Sequence, residues 1–111
     1  MSTEEILPQA GHSKPTVYVL ACNDGSLYTG ATVDLARRLS AHRRGAAKYT
    51  RGRLPVSLVA CWHPQSFSAA KSHEARFKQL RRAAKLALLR GGEVFGCPVC
   101  PRQTCEPPRH R

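Results

Sequence analysis

Acidic residues are scarce in this 111-residue chain: seven Asp and Glu stand against 18 Lys and Arg, for a formal net charge of +11. Long apolar runs are absent, and none approaches the length that spans a bilayer, so no membrane partner is expected. The opening MSTEEILPQAGHSKP has no apolar h-region, which makes the cytoplasm the expected setting. Cysteines number only five, an odd count unevenly placed, so a disulfide framework is not expected.

The cations are concentrated. From Arg37 to Arg53 there are six Arg and one Lys, with no acid among them. Such a block is either a solvated face or a surface for a polyanion, whose released counterions make binding salt-sensitive. Nucleic acid, DNA first, is the expected polyanion.

The length suits one domain. Residues 1–15 mix acids, Pro, Gly and Ser without periodicity and read as a flexible leader, 16–92 as the folded domain, and 93–111 as a flexible Cys/Pro-rich tail not expected to pack. Val, Leu, Tyr and Thr predict strands over Thr16–Cys22 and Ser26–Ala31 around an Asn23-Asp24-Gly25 turn. Leu35, Leu39 and His42 mark a helix from Asp34 to Arg43 that ends at Gly45. A basic loop leads to a third strand, PVSLVACWH. Ser66 or Ser68 then caps one long helix through Ala70, His73, Phe77, Leu80 and Ala84 to Gly91-Gly92. This order implies an α+β fold with a small antiparallel sheet covered by helices, because the first two strands are joined by a turn too short for a parallel crossover.

The turn decides where the two tyrosines of VYVLACNDGSLYTGA point. A two-residue Asp24-Gly25 turn sets Ala21 opposite Tyr28 and sends the tyrosines to opposite faces. A three-residue loop with Gly25 left-handed sets Leu20 opposite Tyr28 and Gly30 opposite Tyr18, so that both share a face. In that register Gly30 leaves an open notch beside the Tyr18 hydroxyl, a shape suited to a substrate phosphate. Taken singly, either tyrosine is simply a good strand residue.

The ordered set VYVL, turn, LYTG, RRLSAH, KYTRGR and HEARFKQL resembles the GIY-YIG nuclease family, most closely its small single-domain bacterial members, over Thr16 to Leu89. The resemblance implies a three-stranded antiparallel sheet flanked by helices. By position it implies catalytic roles for Tyr18, Tyr28, Arg38, His42 and Glu74, with Glu74 the metal-binding carboxylate. Gly30 matches the second signature. Val17 stands where the family name has Ile, the first Gly is missing, and Thr29 replaces the second Ile.

Hydrolysing a phosphodiester requires an activated water, stabilised charge on the phosphate and help for the leaving oxygen. Glu74 is the one acid deep inside a predicted element; a lone carboxylate argues against a two-metal site and fits a single Mg²⁺ or Mn²⁺ completed by water and substrate. The alternative is that Glu74 merely pairs with Lys71 or Lys78. Arg38 and His42, four apart, share a helix face, where a guanidinium can hold phosphate and an imidazole adjust a neighbour's proton. Arg37 points about 100° away. Tyr18, the general base that the family implies, starts from a phenol pKa of about 10 and needs positive charge or a metal nearby. Tyr28 would orient water or phosphate. Lys48, Tyr49, Arg51 and Arg53 read as nucleic-acid contacts, with Tyr49 stacking on a base.

In the tail, Cys97, Cys100, Cys105 and His110 follow C-x2-C-x4-C-x4-H, which can be written as a zinc knuckle or as a redox-sensitive segment. The expected function is a metal-dependent DNA endonuclease acting on repair or recombination structures. The alternatives are a nucleic-acid-binding module of the same fold that does not cut, and a small zinc-binding interaction protein.

Overall fold

The computed structural model describes residues 14–100. The sheet has the order β2-β1-β3, with β1 (Thr16–Cys22) antiparallel to both β2 (Leu27–Thr32) and β3 (Val56–Trp62). The β1–β2 loop is the three-residue one. The Cys22 amide donates to the Ser26 carbonyl at 2.9 Å, Gly25 has φ +87°, and the pairs Tyr18–Gly30 and Leu20–Tyr28 follow. Glycine serves at that left-handed position because a Cβ would crowd the backbone.

Alternation sorts β1 between two cores. Tyr18, Leu20 and Cys22 pack with Leu35 and Leu39 of helix α1 (Leu35–Arg43) and with Val56, Leu58 and Cys61 of β3. Val17 and Val19 pack on the opposite side with Trp62, with Ala70 and Phe77 of α2 (Phe67–Lys78), and with Val94. Burying each large apolar side chain contributes on the order of 1.5–3 kcal/mol. A register shift between Val19 and Leu20 skips Val59, which is exposed. That bulge is why Leu58 and Cys61, three apart, face the same core.

Helix α1 starts at Asp34, whose carboxylate accepts from the Arg37 amide, and α2 at Ser66, which accepts from Ala69. Such caps stabilise by about 1 kcal/mol each. The long second helix expected from the periodicity is instead two. Gln79 and Leu80 close the end of α2 with amides donating to the carbonyls three residues back, Arg81 is extended at ψ 157°, and α3 runs over Arg82–Gly91. The break lets Leu80, Leu88 and Leu89 reach the second core. It also separates a cationic run, and Arg82 Nη1 donates to the Gly25 carbonyl at 2.8 Å.

Residues 93–100 pack, contrary to the expectation for the tail. Strands β4 (Glu93–Val94) and β5 (Cys97–Pro98) form a small hairpin; Val94 is fully buried, Val99 bridges to Trp62, and the Cys100 amide donates to the Cys61 carbonyl at 2.9 Å. Val94, Phe95 and Val99 supply the apolar surface, and the outer edge of β3 supplies the unpaired backbone groups. No helix among the described residues is long and apolar enough to cross a membrane.

Candidate active site

The shared face of the hairpin brings Tyr18 under α1. Gly30 leaves no open notch there. A Cβ built on it would meet Tyr18 Oη at 2.5 Å and Cζ at 2.6 Å, so the tyrosine itself occupies the space. Glycine is required opposite Tyr18 so that the ring can lie against the β2 backbone.

Arg38 and His42 stand one helical turn apart over this ring. Arg38 Nε donates to Tyr18 Oη at 3.3 Å, and Tyr18 Oη lies 2.9 Å from His42 Nε2. His42 Nδ1 lies 2.7 Å from Thr50 Oγ1. Tyr18, His42 and Thr50 are all buried. The buried Tyr18 O–H needs an acceptor. Arg38 can only donate, so His42 Nε2 takes that role and the imidazole proton sits on Nδ1, donating to Thr50. Burial pushes Tyr18 up to about 12, against the partial relief that Arg38 provides. Burial, reinforced by Arg38, pushes His42 down to about 4. At neutral pH the pair is a phenol and a neutral imidazole. The lowered tyrosine pKa that a basic surrounding would give is therefore not found.

Tyr28 closes the side of the cluster, with its ring 5.1 Å from those of both His42 and Tyr49. Glu74, on α2, is buried beneath the ammonium groups of Lys71 at 3.1 Å and Lys78 at 2.8 Å. Burial works against ionisation, but the two lysines outweigh it and hold the carboxyl below its usual range. Its charge is felt at Tyr18, and Lys78 Nζ hangs 5.8 Å from the Tyr28 ring centre. Glu74 thus both pairs with lysines and borders the cluster.

The four expected nucleic-acid contacts divide. Lys48, Tyr49 and Arg51 are exposed on the basic loop beside the cluster. Arg53 is a strut: it stacks 4.2 Å over Tyr49, donates to its carbonyl, and bonds Asp24 at 3.0 Å. Thr50 was not foreseen. A hydroxyl eight residues after the histidine leaves no periodic signal, and only its setting inside KYTRGR hinted at it. Among the expected zinc ligands, Cys97 packs with the second core while Cys100 lies with the first, because residues three apart on extended chain face opposite ways. Cys105 and His110 lie outside the described residues.

As a class, this is a small α+β domain that arranges tyrosine, arginine, histidine and carboxylate side chains along one edge of its sheet. The GIY-YIG catalytic-domain family model matches residues 14–87, and the chain belongs to that nuclease family. It is 52% identical over 79 residues to a UPF0213 protein of Streptococcus sanguinis, covering 70% of this chain and 91% of that one. It is 53% identical over 76 residues to a UPF0213 protein of Halobacterium salinarum, covering 65% and 95%. The solution NMR structure of a UPF0213 protein from Bacillus halodurans matches with 47% identity and TM-score 0.47, covering 68% of this chain and 82% of that one.

Proposed function

We propose that the protein is a divalent-metal-dependent endonuclease that hydrolyses phosphodiester bonds in DNA, acting in the cytoplasm on repair or recombination structures. The observation that carries this reading is the Arg38–Tyr18–His42–Thr50 hydrogen-bonded chain. It joins a guanidinium that can meet a phosphate to a neutral imidazole that can accept a proton.

Tyr18 is too weak an acid to be a standing phenolate, so its role as base runs through His42. Water gives its proton to the Tyr18 oxygen as the Tyr18 proton passes to His42 Nε2. In the substrate-free protein the proton stays on Tyr18. A phosphate held in the Arg38 fork offsets the positive charge that depresses His42, and so makes the imidazole a better acceptor. Thr50 keeps the Nε2 lone pair aimed at Tyr18. Tyr28 fixes the other wall.

Glu74 fits a single hard cation: it is buried, ionised and presents two oxygens. Its lysine partners are about half exposed and flexible, so their pairing is weak enough to yield. Mg²⁺ or Mn²⁺ held by Glu74 would supply charge stabilisation at the phosphate. Lys48, Tyr49 and Arg51 would guide the backbone of the substrate.

The test is cleavage of linear, flap and junction DNA with Mg²⁺ or Mn²⁺. Wild type should cut, and Tyr18→Phe and Glu74→Ala should bind without cutting. A second reading, a module that binds without cutting, is favoured by the burial of Tyr18 and the double pairing of Glu74. Tight binding with no cleavage on any substrate would select it.

A further inference from the structure

We propose that Arg37 and Arg44 form a seat for a backbone phosphate of DNA, on the outer face of α1 and next to the phosphate that reacts. Which phosphate it holds rests on the nuclease reading; the seat itself rests on a cleft of about 320 Å³. One wall is the end of β2 with Val33 and Asp34, and the other is Arg37, Arg38 and Ala41 of α1 with its cap Arg44. Arg37 and Arg44 are seven residues apart, so they lie within about 20° of each other around the helix and about 10 Å apart along it. Ala41 stands between them, and its short side chain leaves a notch that two guanidinium forks can close over.

Both arginines are exposed, and neither side chain has a hydrogen-bond or ion-pair partner among the described residues. The one carboxylate on the cleft, Asp34, is engaged as the helix cap, with Oδ1 accepting from the Arg37 amide at 3.1 Å. The cleft therefore carries three guanidinium groups against one carboxylate. Like charges gathered in this way repel, and a bound anion relieves the repulsion. A planar fork matches two phosphate oxygens at once, which a lone ammonium does not.

Arg38 fixes where the seat lies relative to the chemistry. It lines the cleft, and its Nε donates to Tyr18 Oη at 3.3 Å, so the cleft begins one side chain away from the reacting cluster. A strand whose reacting phosphate meets Arg38 would carry a neighbouring phosphate into the notch over Ala41. Val33, 47% exposed on the facing wall, offers apolar surface to the sugar between the two. A free anion would have no use for that surface. The seat reads no base and so adds position and affinity without sequence preference.

The experiment is fluorescence anisotropy of the full-length protein on a labelled DNA flap in EDTA, where no metal supports cutting, as a function of salt. Arg37→Gln/Arg44→Gln should bind about 10-fold more weakly than wild type, and the slope of log affinity against log salt should fall by about 1, the signature of one lost phosphate contact. Arg81→Gln/Arg90→Gln removes the same charge around α3, whose Leu88 and Leu89 pack with the core on the other side of the sheet, and should stay within about 2-fold of wild type. Circular dichroism is the fold control, and Arg37→Gln and Arg44→Gln singly carry the comparison if the pair loses helix. Replacing single phosphates by neutral methylphosphonates locates the seat: one linkage should weaken wild type about 10-fold and leave Arg37→Gln/Arg44→Gln unchanged, a non-additive cycle. Equal weakening by both arginine pairs, wild type that does not bind, or no linkage that separates wild type from the variant overturns the proposal. Wild type that passes these tests and cuts no DNA with Mg²⁺ or Mn²⁺ keeps the seat and loses the nuclease reading. Wild type that cuts far from the sensed linkage overturns the placement beside Tyr18.

Discussion

Replacing Gly30 by alanine tests the central contact of the site. The new methyl would stand 2.5 Å from Tyr18 Oη, 2.6 Å from Cζ and 3.0 Å from Cε1. Ordinary contact needs about 3.5 Å, so the ring tip must retreat by roughly 1 Å. It cannot do so cheaply, because the ring is buried and its hydroxyl is bonded to His42 and Arg38. Overpacking costs about 1–3 kcal/mol, and weakening those hydrogen bonds adds about 1 kcal/mol, for roughly 2–4 kcal/mol in urea unfolding. A displacement of that size should slow cleavage on the order of 100-fold while DNA affinity holds. Pairing Gly30→Ala with Tyr18→Leu, which vacates the same space, should recover most of the stability but none of the cleavage, a strongly non-additive cycle. Gly30→Ala with unchanged stability and cleavage would refute the reasoning.

Acidification should destabilise the fold through His42. Its folded pKa of about 4 lies below the ordinary imidazole value of 6.5, so between those values the unfolded chain takes up a proton that the folded chain refuses. Stability attributable to this group is complete above pH 6.5, falls as the pH drops and levels off below 4, a total of about 3 kcal/mol. His63 and His73 shift the same way, so the check is the difference between the unfolding profiles of wild type and His42→Gln. Thr50→Val strands the buried Nδ1–H and should cost about 1–3 kcal/mol, with imidazole ¹⁵N shifts reporting loss of the single tautomer. Thr29 Oγ1 is buried with no hydrogen-bond partner among the described residues, so Thr29→Val should leave thermal stability unchanged or raise it by about 1 kcal/mol.

The hairpin register was legible because loop chemistry and side-chain alternation are local: Asn23-Asp24-Gly25 admits two registers, and only one puts both tyrosines on a face. Arg38 and His42 were legible for the same reason, since helical spacing alone sets them together. The break between α2 and α3 carries no Pro or Gly, and the apolar period of Phe77, Leu80 and Ala84 runs through it. What stops the helix is the packing of Leu80, which only the folded chain contains. Thr50 and the pairing of Cys100 with Cys61 were hidden because each joins the sheet or helix to a segment with no pattern of its own. The tyrosine pKa went the other way from the sequence expectation because burial outweighs the neighbouring arginine.

The basic loop is fastened on several sides. Thr50 is tied to His42, the Asn23 amide donates to the Arg53 carbonyl at 2.8 Å, and the Arg53 side chain bonds Asp24. A rim pinned to both the helix and the hairpin turn does not close over its substrate like a lid. On the nuclease reading, shape adjustment then falls to the DNA. Smoothly bending an intact duplex costs on the order of 1–6 kcal/mol, whereas a flap or junction arrives with the hinge already made. Rigidity in the protein becomes a preference among substrates, selecting for deformability instead of base sequence.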